Sequence, residues 1–306
     1  MADMVIRALL AMLIGAQTVA AQDFGAVLRE RVVSRVNEVP GASVGVVFAE
    51  VGGGAAFQVN PDSVFHAAST MKVPVMIEYF RGIDAGRIRR DQDLLLGTEF
   101  KSIVDRSPYA LDASVDSDSS VFARVGQRVP LRWLVERMIV RSSNLATNAL
   151  IELLDAKRVD ATAQSLGTTR MKVLRGVEDG KAFQQGLNNQ TSARDLAVLL
   201  EAIESGTAAS KESCREMIDI LARQEFNDEI PAGLPAGTRV AHKTGWISGV
   251  THDAALVYPP GRKPYVLVVL TRGIRERPVA QRLIADISRL VWDAVTGGSW
   301  ELRVGS

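Results

Sequence analysis

Segments that favour strands lie at the two ends of this 306-residue chain, and segments that favour helices fill its middle. Ala42 to Val51 (ASVGVVFAEV) is rich in valine, Gly52-Gly53-Gly54 supplies a turn, and Ala55 to Val59 is suited to return as a paired strand. Arg239 to Ile247, Val250 to Tyr258 and Tyr265 to Arg272 are β-like, with Pro259-Pro260-Gly261 turning between the last two. From about Arg87 to Arg223 the pattern is mostly helical. Leu131, Leu134, Val135, Met138, Ile139 and Val140 make a broad apolar face, and a further helix is expected over Asn144 to Leu154. Thr191 or Ser192 caps another that carries Leu196, Leu199, Leu200 and Ile203. Pro278 to Val295 closes the chain as an amphipathic helix.

This order suggests an α/β (α+β) fold: an antiparallel sheet flanked by helices from both chain ends, residues 22–85 and 225–306, holding an inserted all-helical domain, residues 86–224. The boundary between them is a natural cleft for a site. Arg106 to Ser120 is polar, with Asp112, Asp116 and Asp118 and little periodicity, and is expected to be a long exposed loop.

The first 21 residues read as an export leader. Arg7 supplies a short positive region, Ala8 to Ala16 an apolar core too short to span a bilayer, and Val19-Ala20-Ala21 the small residues of a cleavage site before Gln22. Cleavage would leave roughly 285 residues, ample for a sizeable core. The expected location is periplasmic or secreted, with no membrane contact after cleavage. The net charge of +1 comes without a basic cluster, which argues against nucleic acid as a partner. The single cysteine, Cys214, forms no internal disulfide and is expected to be a buried apolar residue. A monomer is expected.

Three short motifs fall where such a cleft needs them. Ser69-Thr70-Met71-Lys72 opens a helix expected to run to about Asp84, with Pro74 tolerated near its start, where N–H groups lack helical partners. Ser142-Ser143-Asn144 lies on a turn of the helical region, and Lys243-Thr244-Gly245 lies on a strand. Chance supplies roughly half a Ser-x-x-Lys match in such a chain, but only roughly 0.03 Lys-Thr-Gly matches, so the ordered set is informative.

These residue types suit acyl transfer. A serine hydroxyl is a poor nucleophile until a base takes its proton, and a lysine three residues on shares its helical face. That lysine is a base only if burial or a neighbouring positive charge, such as Lys243, lowers its pKa. Ser142 is placed to relay a proton between Lys72 and a leaving nitrogen, and Asn144 offers its amide to a substrate carbonyl or to Lys72. The same Ser-Ser-Asn is also ordinary capping for a helix entering at Leu145, and both roles can hold together. Lys243 and Thr244 would bind a substrate carboxylate, and Gly245 leaves room for substrate along the strand. The N–H of Trp246 with that of Ser69 would form an oxyanion hole.

Together the motifs resemble those of the penicillin-recognising serine enzymes, most closely the class A serine β-lactamases, over nearly all of the mature chain. Asn148, four residues after Asn144, and Thr251-His252-Asp253-Ala254 continue the pattern. The resemblance implies a β-lactamase/transpeptidase-like fold and a small-molecule β-lactam substrate. It makes Ser69 the acylated nucleophile, Lys72 a base and Ser142 the proton relay, with Asn144 and Lys243 binding substrate. Two departures stand out. The middle residue of the second motif is usually aspartate and here is Ser143. The family's glutamate is followed closely by Leu-Asn, whereas here Glu178 is separated from Leu187-Asn188 by several residues. Glu178, 34 positions after Asn144, is the candidate to activate the hydrolytic water, with Asp179 as fallback and Asn188 as a possible water ligand. Arg272 is a substitute for the family's late carboxylate-binding arginine.

Other readings are a D,D-peptidase, an esterase-like serine hydrolase, or a penicillin-binding domain that does not turn over. His66, His242, His252 and Cys214 offer no ligand cluster, so neither metal nor cofactor is expected. Gly41-Ala42-Ser43-Val44-Gly45 opens a strand, whereas a nucleophile elbow needs a strand before it. His66 is expected to be a core or hydrogen-bonded residue.

Overall fold

The computed structural model describes residues 24–54 and 56–297. The leader and its cut before Gln22 lie outside the described residues. Five strands build one antiparallel sheet: β1 (Ser43–Glu50), β2 (Ala56–Val59), β3 (Arg239–Ile247), β4 (Val250–Tyr258) and β5 (Tyr265–Arg272), in the order β2-β1-β5-β4-β3. The two chain ends meet where β1 pairs with β5, from Ser43 opposite Arg272 to Glu50 opposite Tyr265.

The two-residue period of the strands sorts their apolar residues onto two faces. Tyr265, Leu267 and Val269 of β5 point outward into a core shared with helix α1 (residues 24–37) and helix α8 (Arg277–Thr296). Val266, Val268 and Leu270 point inward, into the core of the helical middle. That middle holds α2 (Lys72–Asp84), α3 (Leu131–Val140), α4 (Asn144–Leu154), α5 (Ala156–Ser165), α6 (Ala193–Glu204) and α7 (Lys211–Leu221). Helix α6 lies on the inner face of the sheet, and α2 is enclosed by α3, α4, α5 and α7. Every residue of α2 from Lys72 to Phe80 is buried, so this helix is enclosed on all sides, with Lys72 and Glu78 as its buried charged residues. Among the described residues, no helix is long and apolar enough to cross a membrane.

The helix expected from Ser69 begins differently. Ala68–Met71 is a 3-10 turn, and α-helix starts only at Lys72, which makes Pro74 its third residue. The expectation of an exposed loop over Arg106 to Ser120 holds only in part, because most of the stretch is exposed and irregular but short elements interrupt it. Pro108–Ala110 pairs with Glu99–Lys101, Ser119–Phe122 is helical, and Asp118 is buried. The aspartates organise this stretch by accepting backbone N–H groups two residues on: Ser114 to Asp112 (2.8 Å), Asp118 to Asp116 (2.8 Å) and Ser120 to Asp118 (3.1 Å). Order of this kind leaves no periodic apolar trace in a sequence.

Candidate active site

The turn before α2 is tied down on several sides. Ala68 has φ +45°, a left-handed conformation uncommon for a residue with a Cβ. Its N–H donates to His66 Nδ1 (3.0 Å), the Ala67 N–H to the Asn189 carbonyl (2.9 Å), and the Thr70 hydroxyl to the Ala67 carbonyl (2.6 Å). His66 is therefore hydrogen-bonded as expected, with its ring proton left to Nε2. Ser69 opens onto a pocket of about 440 Å³ that is also lined by Asn144, Val177, Glu178, Phe183 and Trp246.

Lys72 is fully buried, and its Nζ reaches Ser142 O (2.6 Å), Asn144 Oδ1 (2.9 Å), Ser142 Oγ (3.2 Å) and Ser143 O (3.5 Å). Among the described residues its hydrogen bonds go to this turn and none goes to Ser69 Oγ. Burial first, and the positive charge of Lys243 second, hold Lys72 well below its ordinary pKa. Ser142 is bent into the left-handed region, φ +58°, which carries its carbonyl and hydroxyl together onto Lys72. Ser143 caps α4 by accepting from Ala146 N (3.2 Å).

The strand wall comes from β3. Lys243 is buried, donates to the Thr244 carbonyl (2.9 Å), and is pushed by burial down to about 7 against the opposing pull of Asp253 and Glu229. Thr244 stands opposite Asp253 and is buried, and its hydroxyl has no hydrogen-bond partner among the described residues. A Cβ on Gly245 would lie 2.8 Å from Ser69 N and 2.9 Å from Thr70 N, so glycine is what lets the strand run against the Ser69 turn. Trp246 carries the Arg277 guanidinium over its ring, 3.8 Å from the centroid, and meets Phe226 edge-on with ring centroids 5.1 Å apart. Arg272 instead donates to the Val64 carbonyl (2.8 Å) and lies over Phe65, where it does not line the pocket.

The loop wall carries Glu178, whose φ is +61°. Its Oε1 accepts from Asn144 Nδ2 (2.5 Å), so one asparagine joins Glu178 to Lys72. Partial burial raises its pKa, offset in part by that bond. Asn148 holds the loop: its Oδ1 accepts from Val177 N (2.6 Å), while its Nδ2 donates to Val177 O (3.0 Å) and Tyr109 Oη (3.2 Å). A Cβ on Gly176 would stand 2.3 Å from Asn148 Oδ1. Asp179 accepts from Ser102 Oγ, Ile103 N and Ala182 N at 2.9 to 3.1 Å, so its carboxylate is spent on anchoring. Asn188 accepts from Arg175 (3.0 Å), and it is Asn189 that lines the pocket.

The chain matches the model of the "Beta-lactamase enzyme family" over residues 27–295. It belongs to the β-lactamase enzyme family. It is 29% identical over 260 residues to the β-lactamase AST-1 of Nocardia asteroides, covering 83% of this chain and 80% of that protein. Among solved structures, the β-lactamase of Sphaerobacter thermophilus matches with a TM-score of 0.75 and 28% identity, over 86% of this chain and 96% of that one. PBP-A matches with a TM-score of 0.74 and 30% identity, over 87% and 95%. As a member of the family the protein is a hydrolase with the class A fold.

For this β-lactamase-family chain, sequence reading missed Asp116, Asn189 and the contacts of Phe226 and Arg277 with Trp246. Asp116 Oδ2 accepts from Ser143 Oγ, Asn144 N and Leu145 N, across residues far apart in the chain. Asn189 Oδ1 accepts from Leu174 N (2.8 Å) and Arg175 N (3.2 Å), bracing the Glu178 loop. No short-range pattern marks either residue.

Proposed function

We propose that this protein is an exported serine β-lactamase that hydrolyses β-lactams through an acyl-enzyme on Ser69. The observation that carries this reading is the Glu178 carboxylate, which shares the pocket with Ser69 and hydrogen-bonds Asn144, itself bonded to Lys72. Lys72, its pKa lowered by burial and by Lys243, takes the Ser69 hydroxyl proton as Oγ attacks the lactam carbonyl carbon. The N–H groups of Ser69 and Trp246 hold the oxyanion. The C–N bond then breaks, and Ser142 passes a proton from Lys72 to the leaving nitrogen. Glu178 takes a proton from water as that water attacks the acyl carbonyl carbon, and as the acyl C–O bond breaks that proton is returned to Ser69 Oγ, restoring the hydroxyl and the Glu178 carboxylate. Asn144 binds the substrate amide. Lys243 and Thr244 bind its carboxylate, a role supported by the unpartnered Thr244 hydroxyl. Gly245 keeps β3 against Ser69.

The active site is assigned to the cleft between a sheet domain (residues 22–85 and 225–306) and a helical domain (86–224). Export to the periplasm or medium follows from the leader, with a monomeric mature protein that needs neither cofactor nor nucleic acid.

The likeness to PBP-A favours one second reading, a penicillin-binding protein that acylates and stops there. A mutant of PBP-A is described as an acyl-enzyme complex with penicillin G. Steady-state turnover of a chromogenic cephalosporin, followed by intact mass, separates the two. Sustained hydrolysis with a transient adduct, lost in Ser69→Ala, is expected. A single burst with a lasting adduct would overturn the hydrolytic reading, and an adduct that persists in Ser69→Ala would remove the nucleophile assignment.

A further inference from the structure

The turn that presents Ser142 and Asn144 is gripped by a segment the proposed chemistry does not use. Asp116 Oδ2 accepts from Ser143 Oγ (3.2 Å), Asn144 N (3.0 Å) and Leu145 N (2.8 Å). Its other oxygen accepts from Asp118 N (2.8 Å), which orients the carboxylate. Next to it, Ser117 Oγ donates to the Arg141 carbonyl (2.6 Å). Asp118 faces Arg137 (3.3 Å) and Arg141 (3.8 Å). These contacts lie on both sides of Ser142, whose left-handed backbone persists only if its surroundings over-determine it. Ser143 cannot do this alone. Its hydroxyl already accepts from Ala146 N, which leaves the Asn144 and Leu145 amides at the head of α4 to another acceptor.

We infer that Asp116 is a positioning residue for the reaction: it locks the Ser142–Asn144 turn so that Ser142 meets Lys72 and Asn144 meets both Lys72 and Glu178. The inference rests on the roles proposed above for Ser142 and Asn144. Asp116 does this from outside the pocket, as a carboxylate delivered by a distant segment to a turn that carries only a serine of its own. Its negative charge also favours the protonated forms of Lys72 and Glu178. The other charged groups acting on this pair are Lys243, which opposes the proton on Lys72, and Asp112, which favours the proton on Glu178.

The test uses Asp116→Ala, Asp116→Asn and Asp116→Ala combined with Ser143→Asp in the mature protein. Ser143 Oγ lies 3.2 Å from Asp116 Oδ2, so a carboxylate at position 143 is close to the same amides. Asp116→Ala is expected to keep its far-UV dichroism and lose about a hundred-fold in kcat for a chromogenic cephalosporin, with KM changing much less. Adding Ser143→Asp should restore most of that loss. Asp116→Asn keeps an acceptor without the charge, so its acid limb should move to lower pH as Lys72 and Glu178 lose their protons more readily. A folded Asp116→Ala protein with unchanged kcat and acid limb overturns the inference. So does a loss that tracks the melting temperature and is not restored by Ser143→Asp. If wild type neither acylates nor hydrolyses a β-lactam, the functional reading fails by itself. Hydrogen exchange then decides the clamp: Asn144 and Leu145 amides that exchange faster in Asp116→Ala support it, and unchanged rates remove it.

Discussion

The strand wall of the pocket and the loop wall are held by different means. Lys243 to Trp246 belong to a continuous antiparallel ladder, Lys243 opposite Ala254 and Trp246 opposite Thr251, with Ala254 and Leu256 in the core beneath. Val177 and Glu178 have no such ladder. They are held by the side chains of Asn148 and Asn144, with Asn189 bracing Leu174 and Arg175. A ladder spreads its restraint over many backbone bonds, so it resists single side-chain changes and yields to a change in the backbone's own clearance. A loop held by three amide side chains fails wherever one of them is removed. The two walls also serve different steps, because the groups proposed for acylation lie on the strand wall, on the Ser69 turn with α2 and on the Ser142–Asn144 turn, and the group proposed for deacylation lies on the loop.

The largest expected effect tests that division of labour. Glu178→Gln should acylate normally yet deacylate about 10²- to 10⁴-fold more slowly, so that the adduct accumulates in intact-mass spectra. Unchanged turnover would move the deacylating role off the loop wall. The strand wall is best attacked through clearance. Gly245→Ala sets a Cβ 2.8 Å from Ser69 N and must push the strand from the nucleophile turn. It should cost about 1–3 kcal/mol of stability and slow acylation by about ten-fold or more, as read from the rate of labelling by a fluorescent penicillin. Equal slowing of both steps would break the proposed separation.

A smaller effect is expected at the loop's anchor. Asn148→Ala removes the bonds to Val177 and Tyr109 and should cost about 1–3 kcal/mol. Deacylation should slow while the acylation burst stays close to wild type, measurable by stopped flow.

The smallest effect concerns charge buried behind the strand wall. Burial, with Asp253 beside it, pushes the Glu229 carboxyl up to about 7, while Lys243 is pushed down to about 7. Between pH 4.5 and 7 the folded chain keeps the Glu229 proton that the unfolded chain has lost, so this group's contribution to stability falls as pH rises through that window. Between about 7 and 10.5 the unfolded chain holds the Lys243 proton more tightly, so that contribution rises with pH. Glu229→Gln should flatten the lower window in urea titrations at pH 5, 6 and 7, and, because it removes an upward pull on Lys243, should extend the upper window to lower pH. An unaltered lower slope would show that Glu229 is not the group responsible.

Local patterns along the chain marked most of its helices and strands and the candidate site motifs. Leu131 to Val140, Asn144 to Leu154 and the last three strands were legible because helical and strand periods act between near neighbours. Ser69, Lys72, Ser142, Asn144 and Lys243 were legible because their spacing is short and their order rare. Glu178 was legible only by its interval from Asn144. Tertiary structure decided how these groups face one another. The Lys72 Nζ turned to Ser142 and Asn144, Arg272 was drawn off to Val64 and Phe65, and the Asp116 side chain reached from its loop to cap α4. Each of these outcomes is a bond between segments far apart in the chain. Such a bond depends on where folding brings a donor and an acceptor, and no periodicity along the chain encodes that.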